Sequence, residues 1–167
     1  MDLQFQEHLP ADFHPQSRVW IYQSSRFFLL SEVFQIETML TDFVSSWNSH
    51  GDPVKGYANL FFGTFIVLMA DETATGVSGC STDSSVRVIK EIEKKFDVSL
   101  FNRQSLAFVI KNTIQQIPLS QVDYALENNF IQPDTLYFNN TVLTKKELEE
   151  NWMVPLKNSW LKTHLNF

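Results

Sequence analysis

Two short apolar runs in the middle of the chain, Tyr57–Phe62 and Phe65–Ala70, restrict its fold more than any other feature. Only Gly63 and Thr64 separate them. A two-residue connection with glycine first suits a type II′ turn, which joins antiparallel strands into a hairpin. The alternative is one long strand with a bulge at Gly63. Both interpretations place β-structure at the centre of the sequence.

The segments on either side of these runs give a regular order of strands and helices. Apolar residues at helical spacing predict one helix from Ser31 to about Asn48 and a second from Asp83 or Ser84 to about Phe96. Runs of β-forming residues predict strands at Val19–Tyr22 and Leu106–Ile110. The first six elements are therefore strand, helix, strand, strand, helix, strand. This order predicts a ferredoxin-like α+β fold, an antiparallel sheet with both helices on one face.

The two ends of the chain are less regular. Residues 1–18 show no steady period and are expected to form an irregular lead-in. A short helix is predicted over Ser120–Asn129, followed by a strand near Leu136–Phe138. The last segment, residues 144–165, is predicted to be a helical extension that bends or restarts at Pro155.

The composition fits one α+β domain over residues 1–167. A 44% share of hydrophobic residues, with 15 phenylalanines, excludes a disordered chain. The formal charge is −6 and the basic residues are scattered, which argues against a nucleic-acid partner. The longest nearly apolar run is shorter than the roughly 20 residues of a membrane helix. With one cysteine and no signal-peptide pattern at the start, we expect a soluble, cytoplasmic protein with no membrane partner.

The segment Gly76–Ser85 is the strongest candidate for a functional site. It is a small, polar, glycine-bearing stretch that leads into a predicted helix, and a helix N-terminus offers free N–H groups to an anion or a polar ligand. The alternative is that these residues only cap the helix. The candidate ligand-binding residues are Ser78, Gly79, Ser81, Thr82, Asp83 and Ser84.

The only cysteine, Cys80, lies within this segment. A thiol at a helix N-terminus can act as a nucleophile, and in a ferredoxin-like fold the turn that carries His50 would lie beside it and supply a base. The same topology would place Arg26 and Arg103 at the opposite edge of the sheet. The alternative for Cys80 is a small, buried, inert side chain.

Other polar and aromatic residues give weaker signals. The four histidines have no metal-ligand spacing and no C-x-x-C is present, so neither a metal nor a cofactor is predicted. Asp71 and Glu72 are predicted to form a solvated strand end, because adjacent residues of a strand point to opposite faces. Trp152 and Trp160 predict either core packing or contact with a second copy of the chain, so a homo-oligomer is possible.

Four stretches of the chain carry a resemblance: Trp20–Arg26, Phe65–Glu72, Ser78–Ser85 and Phe138–Thr141. Through them the chain resembles, from about Val19 to Trp160, a family of small uncharacterised bacterial proteins. Some members of that family carry the label "ABC transporter ATPase", but the resemblance implies no established activity. The chain has no G-x-x-x-x-G-K-S/T phosphate loop, so the label is not carried over.

Two functions from different classes follow from these patterns. The first is a non-catalytic module that binds a small ligand or a protein at Gly76–Ser85. The second is a cysteine-dependent enzyme with Cys80 as nucleophile and His50 as base. The first is favoured, because the sequence identifies no oxyanion site and no group that would orient the base.

Overall fold

The computed structural model describes residues 1–165 and has the predicted α+β class. Its helices are α1 (Leu30–Ser46), α2 (Gly79–Phe96), α3 (Val122–Glu127) and α4 (Lys145–Asn151). Its strands are β1 (Arg18–Gln23), β2 (Asn48–Ser49), β3 (Asp52–Pro53), β4 (Lys55–Phe61), β5 (Phe65–Asp71), β6 (Ser105–Ile110), β7 (Thr113–Pro118), β8 (Leu136–Phe138) and β9 (Met153–Pro155). Short 3₁₀ turns are formed by Gln6–His8, Leu119–Gln121, Leu156–Asn158 and Trp160–Thr163.

The predicted hairpin forms and is the centre of the first sheet. Strand β5 pairs antiparallel with β4 on one side and with β1 on the other, and all its residues are buried. Phe61 pairs with Phe65, so the connection consists of Phe62, Gly63 and Thr64, one residue more than the predicted Gly63-Thr64 pair. Phe62 and Gly63 both have positive φ, 53° and 65°, and Thr64 N–H donates to Phe61 O at 3.1 Å. Two positive φ angles are the pattern of a type I′ turn, not of type II′.

Leu106–Ile110 forms a strand as predicted, but in a different sheet. The order β1-β5-β4 matches three strands of a ferredoxin-like sheet, whereas β6 belongs to a second sheet of order β7-β6-β8-β9. The ferredoxin-like topology is therefore not confirmed.

The outer edge of β1 explains this difference, because other groups occupy it. Leu143 O accepts from Val19 N–H at 2.9 Å, and Arg103 Nη1 donates to Ile21 O at 3.1 Å. Instead of joining β1, β6 turns back through Lys111 and Asn112, both at positive φ, to pair with β7. The sequence analysis missed β7.

Both long helices cover one face of the first sheet. Ile36 and Leu40 of α1, and Ile89 and Ile92 of α2, are buried together with alternate residues of β5, including Leu68. This alternation follows from the period of two along a strand. The predicted placement of both helices on one face is correct.

The predicted irregular lead-in covers the opposite face. Residues 1–17 have no regular structure beyond one 3₁₀ turn, yet Phe5, Leu9 and Phe13 are buried. They pack in one cluster with Phe65 of β5 and with Trp152, whose ring lies edge-on to Phe5 at 4.8 Å. An irregular segment is thus part of the core.

Asp71, at the end of β5, connects the lead-in to the sheet through a hydrogen bond to its carboxylate. Its side chain is only 3% exposed, which corrects the predicted solvated strand end. The carboxylate accepts from Thr73 Oγ1 at 2.6 Å, from Thr73 N–H at 3.0 Å and from His14 N–H at 3.0 Å. Lys55 Nζ lies 3.5 Å away. The hydrogen bonds from the Thr73 hydroxyl and the His14 amide hold the pKa of Asp71 well below its usual range.

The predicted C-terminal helical segment, residues 144–165, is interrupted. Thr144 caps α4 by accepting from Glu147 N–H at 3.2 Å, but α4 ends at Asn151. Strand β9 follows and pairs antiparallel with β8, so that Pro155 ends a strand instead of bending a helix. In residues 1–165, no helix is both long and apolar enough to cross a membrane.

We expect Asp71→Asn to lower the free energy of unfolding at pH 7 by about 2 kcal/mol, since it weakens hydrogen bonds to a charged acceptor. Because folding lowers the pKa of Asp71, its contribution is present above the unfolded-state pKa of about 4 and is lost as the pH falls below it. Urea unfolding from pH 7 to 3 should therefore show a flatter decline for Asp71→Asn than for the wild type. Parallel declines would contradict this role, and Asp2→Asn, at an exposed position, is the control.

Candidate functional site

The candidate segment forms the first turns of α2, not a loop before it. Helix α2 begins at Gly79, four residues before the earliest predicted start, and Ser78 is its N-cap. The Ser78 hydroxyl accepts from Ser81 N–H at 3.3 Å, and Ser78 O accepts from Thr82 N–H at 3.0 Å. Ser78 therefore takes the capping role that the sequence assigned to Asp83 or Ser84.

The hydroxyl groups of this segment are bonded within the protein. Ser81 is fully buried, and its Oγ lies 2.8 Å from Ser78 Oγ and 2.9 Å from Asn48 O. Thr82 Oγ1 donates to Ser78 O, and Ser84 Oγ donates to Cys80 O, each at 3.0 Å. Such bonds to carbonyls one turn earlier let serine and threonine stay inside a helix.

Three predicted residues of the segment remain exposed: Gly79, Cys80 and Asp83. The backbone N–H groups of Gly79 and Cys80 have no acceptor within residues 1–165. They are the two donors that the N-terminus of α2 leaves accessible.

The turn that carries His50 lies beside the start of α2, although the ferredoxin-like topology from which this placement was expected is not confirmed. Strands β2 and β3 form a small hairpin around His50 and Gly51, both at positive φ. Ser49 Oγ of this hairpin accepts from Ser78 N–H at 3.3 Å. His50 and Cys80 are both exposed, but no hydrogen bond joins their side chains in the described part of the chain. The structure brings the two segments together without forming a side-chain dyad.

A groove of about 420 Å³ lies between α1 and α2, next to these segments. Its apolar lining comes from Met39, Phe43, Trp47 and Val88. Its polar lining comes from Asp42, Ser46, Asn48, Ser84, Arg87 and Glu91. Of the sequence-predicted site residues, only Ser84 lines the groove.

The groove carries charged residues of both signs. Asp42 lies on α1, and Arg87 and Glu91 lie on α2. All three are exposed, and within residues 1–165 none of them forms a salt bridge. The groove thus offers two carboxylates and one guanidinium above an apolar surface.

Trp47 fixes the end of the groove next to the candidate segment. It is 3% exposed, and its indole Nε1 donates to Ser81 O at 3.0 Å. Its ring lies 4.8 Å from that of Phe43, centroid to centroid. Behind the ring, a Cβ added to Gly56 of β4 would lie 2.6 Å from Trp47 Cε3. A glycine at this position therefore allows the indole to pack against the sheet.

The sequence analysis missed the contribution of α1 to this groove. The spacing of Met39 and Phe43 could have indicated an apolar face of α1 at this position, because residues four apart share one face of a helix. What the sequence could not supply is the position of α2 beside that face.

No group of His, Cys, Asp or Glu side chains in residues 1–165 is arranged to hold a metal ion.

Comparison of the chain with protein-family models, with curated proteins and with solved structures finds no match. The function must therefore be argued from the geometry of the site.

We expect Gly56→Ala to lower the free energy of unfolding by about 1–3 kcal/mol, the usual cost of overpacking, because the rigid indole of Trp47 must move. It should also shift the indole N–H resonance of Trp47 in an ¹H–¹⁵N spectrum. Gly76→Ala is the matched control, since a Cβ there meets nothing within 4 Å. Equal stability of the two variants would show that Trp47 does not depend on Gly56.

Proposed function

We propose that this protein is a non-catalytic binding module and that its site is the groove between α1 and α2, continuous with the Gly76–Ser85 segment at Ser84. The observation that carries the proposal is a set of charges of both signs, Asp42, Glu91 and Arg87, that form no salt bridge within residues 1–165 and surround an apolar lining. This chemistry fits a small zwitterion. Its ammonium group would face the two carboxylates, its carboxylate would face Arg87, and an apolar side chain would contact Phe43 and Val88.

The size of the groove supports a ligand of this kind. About 420 Å³ lies within the range of roughly 300–1,000 Å³ that is usual for small-molecule sites. An amino acid or a short peptide would fill it, whereas an inorganic ion would leave most of the apolar lining uncovered.

Charge pairing alone would give little affinity at this site. Exposed ion pairs contribute about 0–1 kcal/mol each, because water screens them. Contact with the apolar lining must therefore supply much of the binding energy, and a dissociation constant near 1 mM, about −4 kcal/mol, is expected. This is the affinity of a sensor or carrier of an abundant ligand, not of a tightly held cofactor.

A titration with three matched probes tests this proposal. Free phenylalanine carries both charges, phenethylamine only the positive one and 3-phenylpropionate only the negative one. We expect phenylalanine to shift the backbone amide resonances of Met39, Ser84 and Val88 with the lowest dissociation constant, at concentrations up to about 10 mM. Phenethylamine and 3-phenylpropionate should each bind several-fold more weakly.

Two variants give the controls. Ser84→Trp fills the groove and should abolish the shifts, while Lys94→Trp, an exposed position of α2 that does not line the groove, should leave them unchanged. If phenylalanine causes no saturable shift at the groove, the proposed ligand class is wrong. If phenethylamine binds as tightly as phenylalanine, the role assigned to Arg87 is wrong.

The second candidate function is a cysteine-dependent enzyme, with Cys80 as nucleophile and His50 as base. It is supported by the exposure of both residues and by the hydrogen bond from Ser78 N–H to Ser49 Oγ, which holds the two segments together. A single exposed thiol also supports the expectation of a reducing, cytoplasmic environment.

Thiol labelling separates this candidate from the binding module. We expect a maleimide to label native Cys80, without unfolding, at about the rate of a free model thiol, since the side chain is exposed. The enzyme hypothesis instead requires labelling about a hundredfold faster at pH 7, the usual effect of a positioned base, and a large loss of that rate in His50→Ala. A fast rate that depends on His50 would favour the enzyme, and labelling only after unfolding would exclude it.

A further inference from the structure

A second, smaller cavity lies where the two large sheets meet. Its volume is about 80 Å³, and its lining includes Gln23 at the end of β1, Arg103 before β6, Tyr137 of β8, Asn140 and Trp160. It shares no residue with the groove between α1 and α2.

The amide side chains around this cavity are held in fixed orientations. Gln23 is 6% exposed; its Nε2 donates to Ser105 O at 3.1 Å, and its Oε1 accepts from Asn140 Nδ2 at 2.9 Å. Asn140 Oδ1 in turn accepts from Trp152 Nε1 at 3.0 Å. Because these groups already have partners, the cavity is pre-formed and its walls do not need to reorganise around a ligand.

The Tyr137 hydroxyl has a proton with no acceptor among residues 1–165. Tyr137 is 2% exposed, and its oxygen accepts from Trp160 Nε1 at 3.1 Å. Within residues 1–165 the hydroxyl donates to no acceptor. Burial raises the pKa of Tyr137, so the hydroxyl remains protonated at neutral pH. It is a buried donor in the wall of the cavity.

Arg103 adds a positive charge with unused donors. Its Nη1 donates to Ile21 O at 3.1 Å, and its guanidinium carbon lies 6.0 Å from the centre of the Tyr22 ring. No salt bridge to Arg103 is formed within residues 1–165. Arg103 is exposed and lines the cavity, and a guanidinium has five N–H donors, so donors remain beyond the one that is bonded to Ile21 O.

We propose that this cavity is a binding site for a small carboxylate, with the Arg103 guanidinium and the Tyr137 hydroxyl as its two donors. The donors select an anion, because one is charged and the other is a buried O–H that needs an acceptor. The volume selects a compact one, of the size of acetate or formate, and excludes the aromatic acids that would fit the groove. The Asn140 and Gln23 amides set the shape of the site.

The test is a titration of the wild-type protein with acetate, followed through the indole N–H resonances. Trp160 Nε1 donates to the hydroxyl that would itself donate to the anion, so binding should shift the Trp160 indole resonance in a saturable way. Trp47, whose indole is bonded to Ser81 O at the other site, is the internal control and should not shift. Sodium chloride at equal concentration, up to roughly 50 mM, controls for ionic strength.

Because Arg103 is exposed and its charge is screened by water, Arg103→Gln should weaken acetate binding several-fold, and Tyr137→Phe should weaken it to a similar extent. Lys111→Gln removes the same charge from the exposed turn between β6 and β7 and should leave binding unchanged. The proposal is overturned if acetate shifts the Trp160 resonance no more than chloride does, or if Lys111→Gln weakens binding as much as Arg103→Gln. The comparison of acetate with chloride uses the wild-type protein alone, so it tests the proposal even where a variant fails to fold.

Discussion

Burial of β5 on both faces is the constraint on which the rest of this structure depends. Every residue of β5 is buried, and a strand with two apolar faces needs a cover on each. Helices α1 and α2 cover the face that includes Leu68, and the lead-in with Trp152 covers the face that includes Phe65. The irregular first residues therefore contribute as much to the core as a regular element would, and the buried Asp71 carboxylate holds them in place.

Features that depend on residues close together in the sequence could be predicted from it. The central hairpin and α1 follow from local periodicity and are confirmed, with the ends of α1 within two residues of the prediction. The hairpin turn is one residue longer than predicted and is not of the predicted type II′. The partner of β6 could not be predicted in this way. It depends on the Arg103 side chain and the Leu143 carbonyl occupying the edge of β1, and both groups are distant from β1 in the sequence. Element order alone does not contain that information.

At the candidate site, too, the sequence indicated local features but not the contacts between distant segments. The sequence identified the polar segment around Cys80, but it placed the start of α2 too late, because serine and threonine were interpreted as caps. In the structure, Ser84 and Thr82 bond to carbonyls one turn earlier and continue the helix. The groove itself needs α1 and α2 side by side, so residues such as Asp42 and Arg87 could not be assigned to one site from the sequence.

The two proposed sites share no lining residue and approach the first sheet near different ends of β5. The cavity begins at Gln23, which pairs with Phe65 at the start of β5, whereas the Trp47 end of the groove packs against Gly56, which pairs with Ala70 near the end of β5. Phe65 and Ala70 are five residues apart along β5, which corresponds to roughly 17 Å, since a strand rises about 3.3 Å per residue. Substitutions that far apart, with no shared contacts, have additive effects on stability. The two sites share no lining residue, so a ligand at one site contacts none of the residues that line the other.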